Sequence, residues 1–273
     1  MNSSQRAVLG IDIGGSGIKG AAVDLATGTL IGQRLRIPTP RKSTPKNCAA
    51  VVTEIVAHFA DLTGDSPIGI TVPAPVVHGV VPMMANLDKS WIGLNVDSYF
   101  TKRLGRQVRL VNDADAAGLA EVRYGAARGH DGVVLVTTLG TGIGTALINR
   151  GVLVPNTELG HIEVKGHDAE TRASAAAKTR ARLSYKRWAH RLQAYYSTLE
   201  MLFWPDLFVV GGGVSRDAER FLPLLELKTP IVPARLLNQA GIIGAAAVAA
   251  EQVDLGGQAA GNARDLSRWD RPR

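Results

Sequence analysis

The 273-residue sequence contains a single cysteine, Cys48. One cysteine excludes an internal disulfide framework and any zinc site built from several thiolates. Set in an apolar helical pattern, it reads as a small core residue. Aromatic residues make up only 5% of the chain, few for a base-stacking surface, and no recognised nucleic-acid motif occurs, so nucleic acid is not an expected partner. No apolar run approaches the ~20 residues that span a bilayer. The first six residues are polar, and the apolar stretch after them contains Asp12, unlike a secretory leader. No membrane partner is expected, and a cytoplasmic location is. Negative charge is the scarcer sign: 24 Asp and Glu face 31 Lys and Arg, for a net charge of +7 and a pI of about 9.7. That excess favours polyanionic partners, a phosphate-rich substrate among them.

Two common phosphate-binding signatures are missing as well. There is no G-x-x-x-x-G-K-[ST] loop. Residues 139–144 match G-x-G-x-x-G loosely, but a strand pattern follows where a dinucleotide fold needs a helix.

What is present, twice, is a strand, a glycine turn and a returning strand. Residues 8–13 enter Gly14-Gly15-Ser16-Gly17 and leave through 18–24, and a second turn at 26–28 leads into 30–37. Residues 133–138 enter Gly140-Thr141-Gly142-Ile143-Gly144, return through 145–148 and turn at 149–151. The copies lie about 125 residues apart, well beyond the ~20–50-residue period of a solenoid. They predict a duplicated domain with both glycine turns facing one cleft. Paired turns of this kind resemble the phosphate clasp of the actin-like ATPase architecture, a resemblance that implies a bilobal α/β (hexokinase/RNase H-like) fold. The expected division is 1–111 for the first α/β domain, 112–252 for a larger second one whose last helix packs back on the first, and 253–273 for a mobile tail. Further strands are predicted at 68–72, 106–111 and 207–210. Helices are predicted at 47–62, 114–124, 170–204, 217–225 and 241–250.

Several polar groups fall at the junctions of these elements. Asp12 ends the first strand beside the glycine turn. Successive turn amides form an anion-binding nest, and a carboxylate there suits a Mg²⁺ ion placed between it and phosphate. A plain turn-stabilising Asp is the alternative. Asn112 and Asp113 sit at a strand-to-helix junction. They read as N-cap residues, or as a carboxylate held at a ligand crevice to accept a hydroxyl proton during phosphoryl transfer. Glu158 and His161 flank Gly160 in a loop where both can face one polyhydroxyl ligand; a solvated Glu and a capped His are the alternative. Metal binding there lacks a second His or Cys at ligand spacing. Arg172, Lys178, Arg180, Arg182, Lys186, Arg187 and Arg191 form the densest basic run. It is either a solvated face or a docking strip for a long anionic phosphoryl donor.

In order along the chain, Asp12-x-Gly14-Gly15-Ser16-Gly17, Asn86-Leu87 before Trp91, Asn112-Asp113-Ala114-Asp115, Leu139-Gly140-Thr141-Gly142-Ile143-Gly144, Glu158-x-Gly160-His161, Gly211-Gly212-Gly213 and the closing stretch 240–246 resemble the ROK sugar-kinase family from about residue 8 to about 250. Within it, residues 86–95, 111–125 and 204–215 look like the actinobacterial polyphosphate glucokinases. The resemblance implies phosphoryl transfer from inorganic polyphosphate or ATP to the 6-hydroxyl of glucose, and of mannose, with Mg²⁺. It implies Asp113 as general base, and Asn86, Asn112, Asp113, Glu158, His161 and Glu170 as sugar-binding residues. It further implies Gly14, Gly15, Ser16, Gly17, Lys19, Gly140, Thr141 and Gly142 around the donor phosphates, Gly212 and Gly213 at adenosine, Asp12 on the metal side, and a homodimer. Most of the family carries a zinc-binding cysteine cluster after the Gly-His segment. Here residues 164–169 contain no cysteine, so zinc is not expected and His161 is left to contact sugar.

Alternatives within the same resemblance are another hexose or N-acetylhexosamine kinase and a non-catalytic sugar sensor. A repressor of this family carries a helix-turn-helix ahead of the kinase-like region, for which Asp12 comes too early.

Overall fold

The computed structural model describes residues 7–255. Val8–Ile13 (β1) pairs antiparallel with Ile18–Asp24 (β2), which pairs with Thr29–Ile37 (β3). After the helices Pro45–His58 (α1) and Ala60–Thr63 (α2), Ile68–Val72 (β4) returns parallel to β1. Val96–Leu104 (α3) then leads into Val108–Asn112 (β5), parallel to β4. The sheet order is β3-β2-β1-β4-β5. β4 is buried at every position, the continuous apolar pattern of a strand covered on both faces.

Asp113–Tyr124 (α4) crosses to the second sheet. Val133–Leu139 (β6), Ile143–Asn149 (β7) and Val152–Val154 (β8) repeat the opening meander. A small ribbon of Glu163–Val164 (β9) and His167–Asp168 (β10) follows, then the helices Ala169–Ala173 (α5), Ala175–Arg180 (α6) and Tyr185–Phe203 (α7). Leu207–Gly211 (β11) lies parallel to β6, and Ile231–Pro233 (β12) parallel to β11, giving the order β12-β11-β6-β7-β8. In each sheet the strand before the glycine turn is central. It pairs antiparallel on one side and parallel on the other.

The last helix, Ala240–Leu255 (α8), joins the halves. It lies across β1 and β4 on one side and α4 on the other. The approach is backbone to backbone: a Cβ on Gly69 would stand 1.8 Å from the Ala245 carbonyl oxygen, and one on Gly244 1.8 Å from that of Ala116. The alanines of α8 leave room for this contact. Separate apolar cores back each sheet, one around Trp91 and Phe100 that also encloses Cys48, the other around Trp188, Tyr195, Tyr196, Phe208 and Phe221.

Four segments depart from expectation. The predicted helix at 47–62 breaks at Phe59, which stays buried while Leu62 turns 47% exposed. The predicted helix at 170–204 is three helices. Ser174 is extended (φ −62°, ψ 159°) and caps α6 by accepting the Ala177 N–H at 3.1 Å; Ser184 caps α7 through the Arg187 N–H at 3.3 Å. Each serine offers the new helix an acceptor that continuation of the old one would forgo. Residues 217–225, predicted helical, form two 3-10 turns, Gly213–Arg220 with a kink at Asp217 and Leu222–Leu224 carrying Pro223. α8 reaches Leu255, two residues past the expected start of the tail; residues 256–273 lie outside the described ones.

Candidate active site

β1 delivers Asp12 to the edge of the first glycine turn, which the Gly14 N–H closes onto the Gly17 carbonyl at 3.1 Å. Two neighbours hold the Asp12 carboxylate. The Thr71 hydroxyl of β4 donates to Oδ1 at 2.9 Å, and Lys19 Nζ of β2 lies 3.4 Å from Oδ2. The second turn is closed by the Gly140 N–H on the Gly142 carbonyl at 3.0 Å. It is braced from α5 and α6: Glu170 Oε2 accepts the Ile143 N–H at 3.1 Å, and the Ala176 N–H donates to the Gly140 carbonyl at 3.0 Å. Gly15, Ser16, Gly140 and Thr141 stay open to solvent.

At the β5–α4 junction, Asn112 Oδ1 accepts the N–H groups of Ala114 and Asp115 at 2.9 and 3.1 Å. This cap sets Asp113 as the first residue of α4, with its Oδ1 2.8 Å from the Ala114 N–H. Asp113 shares a cavity of about 170 Å³ with Asp12, Lys19, Thr138, Gly212 and Gly241. Asp113 keeps exposed surface, yet protein is packed densely around its carboxyl. Loss of bulk water pushes its pKa up to about 7, helped by the charges of Asp12 and Glu158 and opposed by the Ala114 N–H.

Glu158 also titrates above the usual carboxylate range, through burial and then the Glu170 charge, with His161 acting against both. His161 Nδ1 is 2.8 Å from Asp168 Oδ2. That bond raises the imidazole pKa, with Glu170, Asp168 and Glu158 charges adding to it and burial opposing. With its proton on Nδ1 facing Asp168, the ring leaves Nε2 for another partner. Glu158, His161 and Glu170 thus form one electrostatic group beside Asp113. Asn86 is exposed on the opposite lobe, its carbonyl oxygen 3.6 Å from where a Cβ on Gly15 would stand. Gly212, at φ +83°, packs against the Leu139 backbone, and Gly213 follows it in the open.

Sequence reading assigned no role to several residues here. Thr71 lies in an apolar strand and gives no local signal. Asp115 stands in the Asn-Asp-Ala-Asp run. It is 1% exposed, its Oδ2 accepts the Asn156 N–H at 2.8 Å, and its Oδ1 has no partner among the described residues. Burial pushes its pKa up to about 7, with Glu158 and Asp113 adding to the rise and the Asn156 N–H opposing it. Asp115 lines a separate cavity of about 330 Å³ together with Asn112 and Asn156.

The basic run is divided among α5, α6, α7 and the turn between the last two. Arg172, Arg180 and Arg191 converge: Arg180 donates to the Thr171 carbonyl at 3.0 Å and Arg191 to that of Arg172 at 3.3 Å. Burial and then the charges of Arg172 and Arg180 lower the Arg191 pKa. Lys178 instead lies over the Tyr185 ring, 4.1 Å from its centroid, and Arg220 lies at the same distance. Among the described residues, none of the seven forms an ion pair with a carboxylate.

The donor set around Asp12 fits Mg²⁺. Asp12 and Asp113 offer hard carboxylate oxygens to one small cavity, and Mg²⁺ commonly takes one or two carboxylates with water and phosphate oxygens filling its octahedron. A second group, His161, Asp168 and Glu170, brings potential ligand atoms within 4.8 Å of one another. Its members already bond to each other and to Ile143. No described helix is long and apolar enough to cross a membrane.

Residues 8–174 match the family described as ROK. The polyphosphate glucokinase of Mycobacterium tuberculosis (strain H37Rv) is 50% identical over 245 residues, 89% of this chain and 91% of its own. The crystal structure of inorganic polyphosphate/ATP-glucomannokinase from Arthrobacter sp. strain KM shares 54% identity with a TM-score of 0.86, covering 91% of this chain and all of that one. A ROK family glucokinase from Streptomyces griseus, solved with glucose and AMPPNP, shares 25% identity with a TM-score of 0.77 over 90% of this chain and 99% of its own. The two meanders and their glycine turns are accordingly halves of a bilobal actin-like fold, and the chain is a member of the ROK family.

Proposed function

We propose that this chain is a kinase that moves the terminal phosphoryl group of inorganic polyphosphate or ATP onto O6 of glucose. One observation carries the reading: Asp113, a carboxyl poised near neutrality, opens into the cavity it shares with Asp12, Lys19 and Gly212, beside both glycine turns. The names of the 50% and 54% identical relatives point to the same donors and the same class of acceptor.

In this reading Asn86, Asn112, Glu158, His161 and Glu170 hold the sugar hydroxyls and leave O6 against Asp113. As O6 attacks the terminal phosphorus, its proton passes to Asp113. The bridging P–O bond of the donor breaks, and ADP or a polyphosphate one unit shorter departs. The glycine-turn amides and Lys19 offset charge on the phosphates, and Gly212 and Gly213 border the adenosine of ATP. Mg²⁺ beside Asp12 would supply further charge neutralisation on the transferred group. Residues 1–111 and 112–252 would act as the two lobes around the sugar, and zinc has no part in this scheme.

A coupled assay tests it: purified protein, Mg²⁺ and glucose, read as glucose 6-phosphate, with ATP and long-chain polyphosphate in parallel. Product from either donor supports the reading. No product from either donor, with glucose or a wider sugar panel, overturns it. Mannose differs from glucose only at C2 and belongs in that panel as the expected second substrate. Sedimentation velocity on the same sample tests the expected homodimer.

A further inference from the structure

We infer that Asn156 is a positioning residue for the sugar site: its side chain clasps the loop that carries Glu158 to the segment of the opposite lobe that leads to Asn86. The inference rests on the sugar-kinase reading above and adds a residue that no contact with substrate would reveal.

Asn156 joins three segments. Its side-chain Oδ1 accepts the Val76 N–H at 2.8 Å, and its Nδ2 donates to the Val76 carbonyl at 3.0 Å. Its own backbone N–H donates to Asp115 Oδ2 at 2.8 Å, two residues beyond Asp113 on α4. The far side of Glu158 is held as well: Thr145 of β7 donates its hydroxyl to the Thr157 carbonyl at 2.5 Å, and its Oγ1 accepts the Leu159 N–H at 3.1 Å. Glu158 is therefore bracketed at 156, 157 and 159, while it remains exposed itself.

On the other lobe, Val76 opens a tight, internally bonded segment. Val77 and Val80 exchange backbone hydrogen bonds at 2.8 and 2.9 Å, and the Val96 N–H donates to the Gly79 carbonyl at 2.8 Å. Val81 and Gly93 continue that pairing, and Lys89 Nζ donates to the Met84 carbonyl just before Asn86. A shift of Val76 relative to residue 156 would thus be passed on to the separation between Asn86 and Glu158. Those two proposed sugar partners lie on different lobes, and the clasp sets their spacing.

The chemistry of asparagine suits each demand of the position. A primary amide presents one acceptor and one donor at the spacing of a backbone N–H and C=O, as a strand partner would. Aspartate would set a carboxylate oxygen against the Val76 carbonyl, and glutamine is one methylene too long. Residue 156 is also left-handed, φ +59°, a conformation that asparagine tolerates far better than branched residues do.

Asn156→Gly separates the clasp from the fold. Glycine keeps the left-handed backbone and the N–H to Asp115, and removes only the two bonds to Val76. We expect the glucose Kd, measured by calorimetry without donor, and the glucose KM to rise roughly tenfold, with the donor KM and Tm little changed. Amide exchange at Val76 should quicken. Asn156→Asp, which retains one of the two bonds, should fall between. An unchanged glucose Kd and KM in the glycine variant, beside a wild type that binds glucose, overturns the inference. So does an equal rise in both substrates' KM with a falling Tm, the mark of general loosening. A wild type that binds and phosphorylates no sugar would sink the kinase reading instead, and unchanged exchange at Val76 would then still overturn the clasp.

Discussion

In the proposed mechanism Asp113 must be ionised to take a proton, and its surroundings place that ionisation close to neutral pH. Its pKa of about 7 means the base is mostly protonated in mild acid. The expected kcat/KM for glucose therefore rises as pH increases through about 7 and then levels. Asp12→Asn removes a charge that raises the Asp113 pKa in the metal-free protein, so the Asp113 titration followed by NMR without Mg²⁺ should move to lower pH in that variant. Asp113→Asn, which keeps the shape and removes the base, should lower turnover by about 10²–10⁴-fold while the glucose Kd in calorimetry stays near wild type. Near-normal turnover would remove Asp113 from its role. Asp115 gives a stability counterpart. Its folded pKa of about 7 lies above the usual carboxylate value, so between about 4 and 7 the folded protein holds a proton that the unfolded chain releases. Stability from this group is present at low pH and is lost as pH rises through that window. Asp115→Asn removes the dependence. Its Tm relative to wild type should climb from pH 4 to pH 8, and a difference independent of pH would refute the assignment. The junction that places Asn112 and Asp113 was legible in the sequence because a strand-to-helix transition is a local pattern. Thr71 and Asn156 were not, since their partners lie 59, 80 and 41 residues away and no spacing rule reaches so far.

Among the elements, the two meanders were readable because apolar runs and glycine turns are short-range signals, and their repetition excluded a chance match. The region after His161 was not. Its helical composition masks two serines, Ser174 and Ser184, that stop one helix and cap the next. The consequence reaches function, because a single basic helix face would have been a continuous track for polyphosphate. Arg172, Arg180 and Arg191 gather together, while Lys178, although it shares α6 with Arg180, lies with Arg220 over the Tyr185 ring. If the region docks a long anionic donor, replacing Arg180, Arg182 and Lys186 with glutamine should raise the KM for long polyphosphate by roughly tenfold at low salt, less at high salt, and leave the ATP KM near wild type. An unchanged polyphosphate KM would make the region a solvated face.

At the scale of the whole molecule, the lobes are joined by α8 more than by the cleft residues. α8 touches β1, β4 and α4 together, so the strand bearing Asp12 and the helix bearing Asp113 share one support. The contact has no slack. A methyl group at 244 would stand 1.8 Å from the Ala116 carbonyl oxygen, a backbone atom of α4 that no side-chain rotation can move aside. Gly241, in the same helix, is different: a Cβ there meets only Asp12 Cγ at 3.9 Å, ordinary contact distance. Helix propensity favours Ala over Gly by ~1 kcal/mol in a helix interior, so propensity alone makes both substitutions neutral or helpful. Packing separates them. Gly244→Ala should cost at least ~2 kcal/mol and lower Tm by several degrees, whereas Gly241→Ala should leave Tm unchanged or higher. Because the shift falls between α4 and α8, Gly244→Ala should also displace Asp113 relative to Asp12 and reduce turnover in the protein that remains folded. Thermal unfolding of both variants, followed by turnover at a temperature where each is fully folded, decides the matter. A Gly244→Ala protein with wild-type Tm and turnover would mean that α8 does not hold the two lobes in register.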